Sequence, residues 1–186
     1  MALLGFGVVL WAFVHLIPTI EQPLKQRLEN RFGQNGYKGL FSVAIVTAIV
    51  CIVFGWRSSP QDYLYVLPPW SRSVGMGLML VSFILMGAAN YPTAIKRFLR
   101  HPMLTGVVLW SVSHLLTNGT TRALILFGGI GLWALIEIPL INRREGAYEK
   151  PASPGLFREL RGVVISLVIF VAVVYLHPKF TGVALF

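Results

Sequence analysis

Charge is scarce in this sequence. Only 12% of its 186 residues are Asp, Glu, Lys or Arg, about half the share found in a soluble domain. That shortage, with 55% apolar residues and a mean hydropathy of +0.70, excludes a water-soluble globule and a disordered chain. Cysteine is almost missing: the single Cys51 can form no internal disulfide, which excludes a disulfide scaffold and leaves the redox compartment unmarked. Acidic residues number seven against sixteen Lys and Arg, for a net charge of +9. Such an excess can signal nucleic acid. Here, however, the basic residues lie in short loops between apolar runs, where they report topology, and no nucleic-acid partner is expected. Hydrolase, P-loop and zinc signatures are absent too: there is no GxSxG, GxxxxGKS/T, HExxH or CxxC.

What is present is a series of long apolar runs. Crossing about 30 Å of hydrocarbon at 1.5 Å per residue takes about 20 mostly apolar residues. Six runs approach this: Ala2–Ile20, Leu40–Trp56, Val74–Ala89, Met103–Thr117, Arg122–Ile141 and Gly162–Leu176. The expected fold is therefore all-α, a polytopic membrane bundle of about six transmembrane helices, forming one domain over residues 1–186. A four- or five-span arrangement with one re-entrant segment is the alternative, because the third, fourth and sixth runs are short. No basic stretch precedes the first run, so the start reads as a span rather than a cleavable leader.

The loops alternate in positive charge. Lys25, Arg27, Arg31 and Lys38 follow the first run, Lys96, Arg97 and Arg100 the third, and Arg143, Arg144, Lys150, Arg158 and Arg161 the fifth. The opposite side carries only Arg57, Arg72, Arg122 and Lys179. The positive-inside rule then places the richer side in the cytoplasm and both termini in the periplasm of a bacterial inner membrane. In the first loop, Leu24, Leu28 and Phe32 share one helical stripe, as in an amphipathic helix lying on the membrane surface. Gly33, Gly36 and Gly39 are expected to break it before the second span. Pro151–Gly155 reads as a loop.

Ionisable residues inside the membrane are costly and often functional. His15 lies within the first run, on a face with Gly5, Val8, Ala12 and Thr19. His114 lies within the fourth, on a face with Gly106, Val107, Trp110, Ser111 and Asn118. Small residues beside a histidine admit either a flat macrocycle or a neighbouring helix. Two imidazoles facing each other across a bundle are what a six-coordinate haem iron requires; the alternative is that each bonds a carbonyl or hydroxyl of an adjacent helix. His177 reads as interfacial. His101, in Arg100-His101-Pro102, stands at a helix start that with Arg100 favours an anion, or else faces lipid headgroups. Glu137 reads as a boundary residue paired with Arg143 or Arg144.

The run Arg100-His101-Pro102-Met103-Leu104-Thr105-Gly106, continuing through Trp110, His114-Leu115-Leu116 and Asn118-Gly119, resembles the NnrU family of membrane proteins. So do His15, Arg27, Glu29-Asn30-Arg31-Phe32-Gly33 and Tyr37. The family is named from denitrifying bacteria, where it is linked to reduction of nitrite and nitric oxide. The pattern is also similar to plant 15-cis-zeta-carotene isomerase of the same superfamily, which holds a haem b through histidines. That resemblance implies haem b as cofactor, with His15 and His114 as iron ligands. It also implies cis–trans isomerisation of a lipophilic polyene as one activity. Where the isomerase has a cysteine one turn before the second histidine, this chain has Ser111. The R-H-P element further resembles small membrane methyltransferases, in which that histidine helps bind S-adenosylmethionine. Their paired glutamates have only Arg143-Arg144-Glu145 as a counterpart here. A non-catalytic haem sensor or assembly factor is a further alternative.

Depth along the spans does not choose the partner of His114. At 1.5 Å per residue His114 lies about 17 Å from the cytoplasmic side, His15 about 9 Å and His177 about 24 Å. Membrane lipid and a lipophilic small molecule are the partners expected.

Overall fold

A computed structural model describes residues 1–183. Helices α1 (Ala2–Ile20) and α2 (Gln22–Ser58) open the chain, followed by α3 (Ser71–Ala88), the short α4 (Ile95–Phe98) and α5 (Pro102–Thr117). Next, α6 (Thr121–Ala123) runs through a π-helical stretch, Leu124–Gly128, into α7 (Gly129–Glu145), and α8 (Leu156–Thr181) closes the described chain. Among the described residues, five segments are long and apolar enough to cross a membrane: α1, α2, α3, the continuous Thr121–Glu145 helix and α8. The sixth expected span is α5, whose 16 residues reach about 24 Å. The protein is a polytopic membrane helix bundle.

Local chemistry explains the boundaries. Pro102 opens α5 at a position where a missing N–H costs nothing. In α2 the surface segment ends at Gly33, whose φ of 72° and ψ of 165° break the helix in a region that favours glycine. Gly36 and Gly39 do not break it; both are helical, so the expected three-glycine hinge reduces to one residue. Leu24 and Phe32 on that segment are exposed, as a helix resting on lipid requires. The Pro151–Gly155 loop is present as expected.

Small residues set the helix contacts. A Cβ on Gly7 would meet the Ile52 nitrogen at 2.8 Å, so α1 and α2 touch backbone to backbone. Between α3 and α5, Ser82 Oγ donates to the Gly106 carbonyl at 2.7 Å and Ser113 Oγ to the Gly75 carbonyl at 2.7 Å. Glycine contacts and hydroxyl bonds of this kind hold helices together where lipid removes the hydrophobic drive. The helix α7, with its π-helical lead-in, is the centre: it lies against both α1 and α5, and the buried core draws on all three through Leu4, Val8, Leu104, Ile130, Trp133 and Ala134. In contrast α8 sits at the periphery, where its extended packing is on α3.

The loop after α2 caps α5. Tyr65 Oη donates to the Leu115 carbonyl at 2.5 Å and the Asn118 carbonyl at 3.2 Å, and Leu64 N donates to the Gly119 carbonyl at 2.8 Å. Gly119 is required there because a Cβ would collide with the Tyr65 carbonyl oxygen. The carbonyls left open at the end of α5 are thereby satisfied.

Candidate functional site

Two elements of the same kind face α7: Trp11-x-x-x-His15 on α1 and Trp110-x-x-x-His114 on α5. In each, the imidazole Nδ1 lies against the tryptophan carbonyl four residues earlier, at 2.8 Å for His15 and 2.9 Å for His114. A carbonyl can only accept, so Nδ1 carries the proton and donates. The Nε2 lone pair is left free in both rings. This is how a metal-ligating histidine is oriented by a carbonyl behind it.

Aromatic rings surround both imidazoles. His15 lies 4.3 Å from the Trp11 ring, 4.9 Å from Trp133 and 5.6 Å from Phe41. His114 stacks on Phe127 at 4.2 Å with 19° between planes, and lies 4.7 Å from Trp110. Phe127 belongs to the π-helical stretch, a geometry frequent at functional sites. The indole nitrogens of Trp11 and Trp133 are buried without a hydrogen-bond partner.

The two histidines meet different rings of the central helix. Trp133 and Phe127, which contact them, are six residues apart along one helix, about 9 Å in depth. Helices α1 and α5 share no extended interface; each lies on α7. Of the small residues on the histidine faces, Gly106 and Ser111 serve helix packing, while Gly5 meets open space. A Cβ on Gly106 would meet Met86 Cγ on α3 at 2.9 Å, and one on Gly131 would meet Ser111 Cβ at 2.8 Å. Ser111, at the position of the isomerase cysteine, is buried against α7 with its hydroxyl unpartnered. His177 is half-buried near the end of α8, with Nδ1 3.2 Å from Thr181 Oγ1.

Arg100 and His101 are engaged elsewhere. Arg100 donates through Nη1 to the Gly146 carbonyl at 2.7 Å and through Nη2 to Glu145 at 3.2 Å, and its guanidinium lies 5.2 Å from the Tyr148 ring centre. His101 Nε2 is 2.9 Å from Asn142 Oδ1. Together they lock the start of α5 to the end of α7, rather than presenting an open anion cradle.

Glu137 differs from its expected role. Among the described residues it makes no ion pair; Arg144 turns instead to the Pro18 carbonyl at 3.1 Å and to Glu145. Glu137 is 5% exposed; Oε1 accepts a hydrogen bond from Thr19 Oγ1, while Oε2 has no partner. Thr19 is four residues beyond His15 and Glu137 four beyond Trp133, so the carboxyl sits one helical turn from the His15 ring. The signal available in the sequence was the shared spacing of four on both helices. It becomes readable only once α1 and α7 are known to pair.

These features define a class: a helix-bundle membrane protein with two imidazoles held inside its spans. The chain belongs to the NnrU protein family, which matches residues 3–185, nearly its whole length. No curated protein matches the chain, and no solved structure does.

Proposed function

We propose that this protein binds haem b within the membrane, with His114 and His15 supplying imidazole nitrogens to the iron. Its role is linked either to nitrite and nitric oxide metabolism or to cis–trans isomerisation of a lipophilic polyene. The observation that carries the reading is the pair of Nδ1–carbonyl bonds: each ring is fixed in the tautomer that leaves Nε2 open to a metal. The haem would supply a redox-active iron centre. The chain's own residues orient the imidazoles and, through Trp11, Trp110, Phe127 and Trp133, keep water from them. The reaction class rests on the family resemblance.

His114 with His177 is the alternative ligand pair, because depth along the spans does not choose between His15 and His177. Methyl transfer is the weaker alternative, since Arg100 and His101 are committed to the α7 terminus.

An absorption spectrum of the purified protein tests the cofactor through its Soret band. His15→Ala and His114→Ala are each expected to abolish or greatly weaken haem retention, while His177→Ala and His101→Ala keep a bis-imidazole spectrum. Unchanged low-spin haem in His15→Ala refutes the first pairing, and loss in His177→Ala selects the second. Polyene turnover by the haem-loaded protein then separates an isomerase from a sensor or assembly factor.

We also propose the orientation given by the loop charges, with the Tyr148 loop cytoplasmic and both termini periplasmic. Single cysteines at Tyr148 and Pro60, in a Cys51→Ser background, test it with an impermeant thiol reagent on cells whose outer membrane is permeabilised. Labelling is expected at Pro60 and not at Tyr148; the reverse pattern inverts the topology.

A further inference from the structure

We propose that the groove between the end of α3 and the start of α8 binds the phosphate of an anionic phospholipid, gripped by Arg158 and Arg161, with an acyl chain laid along Ile165 and Ile169. The groove measures about 210 Å3, and those four residues line it together with Asn90 and Tyr91. It is independent of the histidine sites.

The charge in this groove is uncompensated. Arg158 and Arg161 are exposed, and neither makes an ion pair, hydrogen bond or ring contact among the described residues. The acid between them is already used. Glu159 accepts from Thr93 Oγ1 at 2.8 Å and from the Ala94 backbone N–H, so its carboxylate is committed to the α3–α5 connection. Elsewhere in the protein, Arg100 and Arg144 share Glu145 and Lys25 pairs with Glu29. Two free guanidiniums three residues apart share one face of α8 and suit a phosphate, which guanidinium binds through paired N–H donors.

A third donor stands beside them. The Tyr91 hydroxyl is buried beside Ser166, held where its ring covers Gly162, at which a Cβ would collide with it. Burial and the nearby Glu159 carboxylate push its phenol above the ordinary tyrosine value, so it stays protonated and able to donate.

The same stripe then turns apolar. Residues 161, 165 and 169 follow at intervals of four, hence along one face, and Ile165 and Ile169 are 52% and 49% exposed. A polar head leading into an exposed apolar track matches an amphiphile. An inorganic anion or a nucleotide would use only the head.

The test is native mass spectrometry of the full chain in detergent, titrated separately with phosphatidylglycerol, phosphatidylcholine and inorganic phosphate. Phosphatidylglycerol is expected to be retained in preference to phosphatidylcholine. A basic residue near an anionic membrane surface contributes about 1 kcal/mol, about fivefold in affinity. Arg158→Gln with Arg161→Gln should therefore weaken retention roughly 25-fold, while Arg97→Gln with Arg143→Gln leaves it unchanged. Ile165→Asp should weaken retention with both arginines intact. Equal retention of the two lipids, equal loss in the control pair, or displacement of phosphatidylglycerol by millimolar inorganic phosphate overturns the proposal, the last in favour of a plain anion site.

Discussion

Helices α1 and α5 sit on α7 by the same device and in different company. Each presents a histidine whose Nδ1 is tied one turn back to a tryptophan carbonyl, and each meets a glycine of the central helix: Val8 lies over Gly129, and Ser111 over Gly131. The α5 seat is apolar around its imidazole, with Phe127 stacked face to face on His114. The α1 seat carries a polar load. One turn beyond His15 it holds a buried carboxyl with a single hydrogen-bond partner, Thr19. A shared backbone anchor thus serves two environments, and the carboxyl separates them. The α5 seat depends on close packing, the α1 seat on keeping a polar group satisfied.

The largest expected effect breaks the polar side of this contrast. Thr19→Val removes the one partner of Glu137 and leaves a buried carboxyl unsatisfied, a cost of about 1–3 kcal/mol. Thermal unfolding in detergent, followed by tryptophan fluorescence, should show a clear loss of stability. Adding Glu137→Leu should recover most of it, because removing both members of a buried polar pair can be nearly neutral. No recovery in the double variant would show that Glu137 has a stabilising partner besides Thr19.

An effect of comparable size distinguishes the two glycine seats. At Gly131 a new Cβ meets Ser111 Cβ at 2.8 Å, an atom fixed to the α5 backbone, so Gly131→Ala must push helices apart and should cost about 1–3 kcal/mol. At Gly129 it meets Val8 Cγ1 at 2.5 Å, one methyl of a side chain rather than a Cβ fixed to the backbone, so Gly129→Ala should cost less than Gly131→Ala. The same unfolding measurement ranks them, and equal losses would erase the distinction. The smallest effect sharpens the α5 side. Tyr65→Phe deletes the hydroxyl that caps Leu115 and Asn118, at about 0.5–1.5 kcal/mol, with local fraying of α5 readable by hydrogen exchange.

The helices were legible in the chain because a span must be apolar over a set length whatever its neighbours are. Ala2–Ile20 is both the apolar run and the helix, and Pro102 marks the start of α5 one residue before its apolar run. Gly33 was readable as a break because few other residues adopt its backbone angles; Gly36 and Gly39 were not distinguishable from it, since glycine permits a bend without requiring one. The histidines were singled out by their cost in lipid, and the carbonyl that orients each is local, four residues away on the same helix.

What depended on the fold lies between residues far apart in the chain. Glu137 meets Thr19 across 118 residues, and Arg100 meets Gly146 across 46. Charge alone pairs Glu137 with Arg143 or Arg144 and gives Arg100 an anion. The placing of His15 and His114 is likewise a property of the central helix, which sets one against Trp133 and the other against Phe127. Composition and local backbone chemistry determined which stretches form apolar helices, although α8 (Leu156–Thr181) runs beyond its apolar run, Gly162–Leu176, at both ends. Tertiary structure decided which buried polar groups find partners, because in a membrane those partners come from whichever helix the glycines allow to approach.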